Sequence, residues 1–162
     1  MKKYKWIVIL INLIILLFWF NNSILKKEKL LAEGQLILLE LAPVDPRSLI
    51  QGDYMTLRYT IANNLHSETI PKRGICLVKL EENGVAKNVR IQNNKTIIEE
   101  NEFPIKYTSK KWSGINIGAE SYFFEEGTAE KYENAKYGGI KVDQEGNSLL
   151  IGLYDENRSR IK

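Results

Sequence analysis

The sequence predicts a mainly β protein: a compact antiparallel β domain with one short helix, preceded by an N-terminal transmembrane helix. Three observations predict it. Residues 6–20 form an apolar run whose sole polar member is Asn12, the composition of a membrane span. After residue 34, short apolar or alternating runs recur between turn-forming residues, as in an all-β domain. Helical spacing appears in that part over residues 125–136, where Ala129, Tyr132, Ala135 and Lys136 share one face.

The elements follow in order. The fifteen residues of the apolar run would cover about 22 Å as helix, short of the ~30 Å hydrocarbon core. Extension over residues 4–25 reaches about 33 Å and places Tyr4, Trp6, Trp19 and the Asn21-Asn22 pair near the two interfaces. A cleaved signal peptide shares the basic start and apolar core, but the nearest small-x-small triplet, Ala32-Glu33-Gly34, follows intervening lysines. An uncleaved anchor is therefore expected. Residues 23–32 alternate leucines with lysines and continue the helix through the headgroups, where lysines meet anionic phosphates. Lysines number three on each flank, so the positive-inside comparison ties. The layout of an export signal then points to a cytoplasmic N-terminus and an extracytoplasmic domain. The expected division is residues 1–33 as anchor, 34–155 as β domain and 156–162 as a charged, frayed tail.

Gly34 is a helix stop, and residues 35–41 read as a buried strand bounded by Gly34 and Pro43. Pro43 and Pro46 each remove a backbone donor and extend the residue before them, so residues 42–48 form a rigid approach to a Gly52-Asp53 turn. From Tyr54 the pattern alternates, with Met55, Leu57, Tyr59 and Ile61 on one face. A central, half-buried strand over residues 54–61 is expected. Residues 62–67 are a polar loop. Asn83-Gly84 predicts a hairpin joining residues 75–80 to 85–91, and residues 92–95 read as another turn. Residues 103–108 form a strand whose Pro104 belongs at an edge or a start, and residues 109–114 form a loop. Residues 115–124 begin with alternation and end in Tyr122-Phe123-Phe124. In the helix that follows, Glu125 and Glu126 lie at the N-terminus, where the dipole favours acids. Residues 144–147 turn a second hairpin between 140–143 and 148–154.

Charge and side-chain chemistry narrow the function. The formal net charge is +3. Six lysines against Glu28 put +5 before residue 30, and the rest, with 17 basic and 19 acidic side chains, is mildly acidic. The positive charge flanks the anchor, so a nucleic-acid partner is not expected. Cys76 stands alone in an apolar run and reads as a small hydrophobe, and one histidine, His66, gives no metal-ligand set. No cofactor motif is read.

The stretch Gly52-Asp53-Tyr54-Met55-Thr56-Leu57-Arg58-Tyr59 fits the pattern Gly-Asp-Tyr-x-x-Leu-x-Tyr at every fixed position. Agreement runs out to residues 41–48, and again to residues 122–129 with Tyr132, Ala135, Tyr137 and Gly138. On these motifs the chain resembles the GDYXXLXY family of bacterial membrane-anchored proteins of unknown function. The resemblance implies an anchored β domain found beside polytopic membrane proteins, and it implies no activity. Thr128 departs from the histidine expected of many members.

A signal-peptidase-like Ser/Lys hydrolase also places a proline turn before a Gly-Asp strand, but its serine would precede the proline, where Ala42 to Asp45 stand here. A cation or small-ligand module could use Asp45, Asp53, Glu125 and Glu126, although turn acceptors and a helix start account for the same acids. The expected function is a non-enzymatic accessory protein that binds another membrane or envelope protein. The expected binding residues are Asp45, Arg47, Gly52, Asp53, Tyr54, Tyr59, Glu125, Glu126, Tyr132 and Tyr137. The two distant motifs are expected to pack together, with Tyr59 buried against Tyr132 or Phe124, Arg47 near Glu125 or Glu126, and the short helix over the turn.

Overall fold

One continuous helix, α1 (Lys2–Glu33), carries the chain from its N-terminal lysines to the first strand. In this computed structural model the described residues are 2–42, 54–63, 70–92, 98–110 and 114–162. The approach and Gly52-Asp53 turn, the His66 loop, the turn after Gln92 and most of the Trp112 loop lie outside them. The stretch from Tyr4 to Glu33 is long and apolar enough to cross a membrane, and none of its apolar window is buried by the protein. At its end Leu30 is buried, and the Gly34 amide donates to the Leu30 carbonyl at 2.9 Å. A Cβ on Gly34 would lie 2.4 Å from that carbonyl oxygen, so the corner needs glycine. The Lys141 ammonium donates to the Gly34 carbonyl at 2.7 Å, placing a cation at the negative end of the helix dipole.

The strands are β1 (Gln35–Glu40), β2 (Tyr54–Thr56), β3 (Arg73–Leu80), β4 (Val85–Ile91), β5 (Glu102–Lys110), β6 (Gly114–Asn116), β7 (Ser121–Phe123), β8 (Tyr137–Val142) and β9 (Ser148–Tyr154). Seven form a curled sheet in the order β6-β5-β3-β4-β1-β8-β9, and β2 and β7 form a separate ribbon. Within the large sheet β1 and β4 run parallel, with Leu38 opposite Val85, and the other neighbours are antiparallel. The fold is mainly β, as the alternation predicts.

Local chemistry fixes the hairpins. The Asn83 side chain accepts from the Val85 amide at 2.9 Å, and Gly84 takes φ 81°, the left-handed region open to glycine. In the second hairpin the Asp143 carboxylate accepts from the Glu145 and Asn147 amides at 3.0 and 2.8 Å. Pro104 is buried on a stretch of β5 that, among the described residues, has β3 as its one strand neighbour, since β6 pairs with Thr108 to Lys110. The inner face of the curl is the core, where Ile37, Leu39, Cys76, Val78, Ile105, Ile140 and Leu153 have no exposed surface. Each large aliphatic there stabilises the fold by about 1.5–3 kcal/mol.

Three expectations need correction. The motif strand is not central: pairing stops at Thr56, and Tyr59 makes an isolated bridge to Leu41 before a short helix, α2 (Thr60–Asn63). Met55, Leu57, Tyr59 and Ile61 are nonetheless all buried and Thr56 and Arg58 exposed. The alternation reports burial, and an extended chain can keep it without a ladder partner. The helix over 125–136 shrinks to one 3-10 turn, Ala129–Tyr132. The alternating start and aromatic end of residues 115–124, for which no single strand is expected, fall in β6 and β7 around a turn with Gly118 at φ 82°. The charged tail is not frayed: the Ile161 amide donates to the Leu153 carbonyl at 2.9 Å, and Arg160 bridges Tyr154.

Candidate functional site

The two motifs meet in the β2–β7 ribbon, where Tyr54, Met55 and Thr56 lie opposite Phe123, Tyr122 and Ser121. Local chemistry of β7 prepares this pairing. The Glu120 carboxylate folds back onto the amides of Ile117 and Gly118. That turn directs two carbonyls toward the motif: Glu120 accepts from the Leu57 amide at 2.7 Å, and Ala119 accepts from the Tyr59 hydroxyl at 2.5 Å. On its other side the chain is held where the Ala42 amide donates to the Arg58 carbonyl at 2.7 Å.

Tyr59 is 2% exposed. A Cβ on Gly138 would come within 2.8 Å of its ring and 3.0 Å of its hydroxyl oxygen. The ring therefore lies in the space a side chain at residue 138 would fill. Burial, and then the nearby Glu120 carboxylate, push the phenol well above its ordinary range, so it stays a neutral donor. Leu57 is buried in the same core. Of the expected binding residues, Tyr59 is thus internal, and Leu57 beside it is buried as the alternation predicts.

The remaining candidates divide as follows. Asp45, Arg47, Gly52 and Asp53 lie outside the described residues, and so does any contact of Arg47 with the glutamates. Tyr54 opens β2. Tyr132 packs edge-on against Tyr122, ring centres 5.1 Å apart, and tilted against Phe124 at 5.5 Å. Tyr59 is thus set against Gly138 and Ala119, while Tyr132 gathers the aromatics of β7. Burial, then the Tyr132 hydroxyl, push the Tyr122 phenol up. Glu125 and Glu126 are exposed in the turn before the 3-10 segment, and the Thr128 hydroxyl donates to the Glu125 carbonyl at 2.7 Å. With one helical turn after them, a helix dipole does not explain these acids. Tyr137 packs with Leu36 beside a smaller cluster of Leu38, Val85 and Tyr154. Arg58 is exposed, and among the described residues it forms no ion pair. Among the described residues no three His, Cys, Asp or Glu side chains are grouped to hold a metal.

Sequence reasoning missed Ala119, Glu120, Gly138 and Phe123 as partners of the motif. One signal was present: Glu120 is the one charged residue of the run over 115–124. Phe123 is 72% exposed and is the most exposed large apolar side chain among the described residues after α1. The shortest ion pair among the described residues lies elsewhere. Arg90 grips Glu102 with two nitrogens at 2.7 and 2.5 Å, and the Glu99 amide adds a third donor at 2.8 Å. The guanidinium, then that amide, outweigh desolvation and hold the Glu102 carboxyl at about 2.

With both motifs placed in one ribbon, comparison with known families is decisive. The family model described as GDYXXLXY protein matches residues 16–153. The chain belongs to the GDYXXLXY family. The matched span takes in the second half of α1 and the nine strands of the described residues up to Leu153, one residue short of the end of β9. Comparison with curated proteins found no match, and none was found among solved structures. In this GDYXXLXY protein, the motif's Leu57 and Tyr59 lock the ribbon onto the sheet.

Proposed function

We propose that this GDYXXLXY protein is a non-enzymatic accessory protein of the bacterial cytoplasmic membrane. Its single helix holds the β domain on the extracytoplasmic side, where the domain binds another membrane or envelope protein. The observation that carries the reading is the β2–β7 ribbon, built from both family motifs outside the main sheet, with Phe123 turned to solvent at 72% exposure. An exposed aromatic on a paired ribbon suits protein recognition, since aromatic side chains are enriched at protein interfaces. The Tyr59 hydroxyl, one of the motif's polar groups, donates to the Ala119 carbonyl in the core, which favours a structural role for that side chain.

The test places a photoreactive phenylalanine at residue 123 of the full chain in its native membrane. The expected result is one crosslinked protein of fixed mass, absent when the probe is at exposed Glu156 on the tail. Crosslinks to lipid alone, or the same products from both positions, would refute the proposal.

A further inference from the structure

The two ends of the curled sheet are treated differently. Strand β6, at one end, is three residues long, Gly114–Asn116. So short an edge offers little for another strand to pair with. Strand β9, at the other end, has seven residues, Ser148-Leu149-Leu150-Ile151-Gly152-Leu153-Tyr154, with no charge and no proline. That composition in an edge strand is the one most prone to pair with another copy of itself.

The C-terminal segment covers this edge. Asp155 starts a tight turn: its carboxylate accepts from the Ser159 amide at 2.8 Å, and Arg158 takes φ 63°. The chain then runs back antiparallel, with Arg160 bridged to Tyr154 and the Ile161 amide on the Leu153 carbonyl at 2.9 Å. The Arg160 guanidinium reaches the next outward carbonyl, Ile151, at 2.5 Å. Gly152 makes the room, since a Cβ there would lie 2.7 Å from Arg160 Nε. Ile161 packs against the main core and fastens the end of the segment. Two carbonyls that a neighbouring strand would use are occupied, and a fixed positive charge stands beside an apolar strand.

We propose that residues 159–161 act as a strap that prevents β9 from pairing edge-to-edge with β9 of a second copy of this chain. The strap works by occupying backbone acceptors and by like-charge repulsion between two Arg160 side chains brought together.

The experiment uses the full chain in detergent micelles, with protein mass read by light scattering and the fold by far-UV circular dichroism. Arg160→Ala with Ile161→Pro removes the guanidinium and the amide donor together. Gly152→Ala is the second variant, which displaces the flexible Arg160 and leaves the segment's own sequence intact. Each is expected to double the protein mass per micelle relative to the unaltered chain, and adding Ile151→Lys to either is expected to restore the original mass. Unchanged mass in a variant that keeps its sheet signal overturns the proposal. So does a doubling that Ile151→Lys fails to reverse. Should the double variant unfold, Gly152→Ala alone decides.

Discussion

Removing one oxygen from Tyr59 tests how the family motif works. Tyr59→Phe keeps the ring against Gly138 and deletes the hydroxyl that donates to the Ala119 carbonyl at 2.5 Å. A buried neutral hydrogen bond contributes about 1 kcal/mol net, and a carbonyl left without its donor costs about 1–3 kcal/mol. Both groups are shielded, Tyr59 and Ala119 each being 2% exposed, so water does not readily replace the lost donor. The expected destabilisation is about 1–3 kcal/mol. With a urea slope of ~2 kcal/mol/M, the unfolding midpoint of the β domain falls by about 1 M. The assay is urea unfolding of the micelle-bound full chain, followed by circular dichroism. Gly138→Ala supplies the control: its Cβ would sit 2.8 Å from the Tyr59 ring, so it should destabilise the native chain and lose most of that effect in a Tyr59→Ala background. A midpoint unchanged by Tyr59→Phe, or strictly additive effects of Tyr59→Ala and Gly138→Ala, would refute the reasoning, since contacting residues must couple.

The Arg90–Glu102 pair predicts a pH dependence. The folded carboxyl titrates at about 2, below the ordinary value of about 4.3, so its contribution is present above that ordinary value and is lost as pH falls toward 2. Glu102→Gln should flatten the stability profile between about pH 5 and pH 2, and an unaltered acid limb in that variant would sink the assignment. Cys76 is fully buried, with its thiol pushed up to about 12 mainly by desolvation. Iodoacetamide at pH 8 should therefore leave it unmodified until denaturant opens the sheet, whereas labelling of the folded protein would place the thiol outside the core.

The sequence by itself determined the helix long and apolar enough to cross a membrane, the β class, the two hairpins and the inward face of the motif. Each is a local property: an apolar run of sufficient length, Asn83-Gly84 and Asp143 to Asn147 in their turns, and the alternation of Met55, Leu57, Tyr59 and Ile61. The family was legible for the same reason, because its pattern is a contiguous string. Tertiary structure decided what those residues meet. Alternation shows which side of a chain is buried and carries no information about its ladder partner, so a strand expected at the centre of the sheet became half of an outlying ribbon. Tyr59 finds its acceptor 60 residues away at Ala119, and Gly138 earns its identity from a ring in another element. The helical spacing over 125–136 yielded one 3-10 turn, whose Tyr132 packs onto Tyr122 and Phe124; spacing alone does not stabilise so short a helix. The tail read as frayed from its charge. It is ordered because two backbone acceptors on an edge strand, invisible in a sequence, offer it hydrogen bonds.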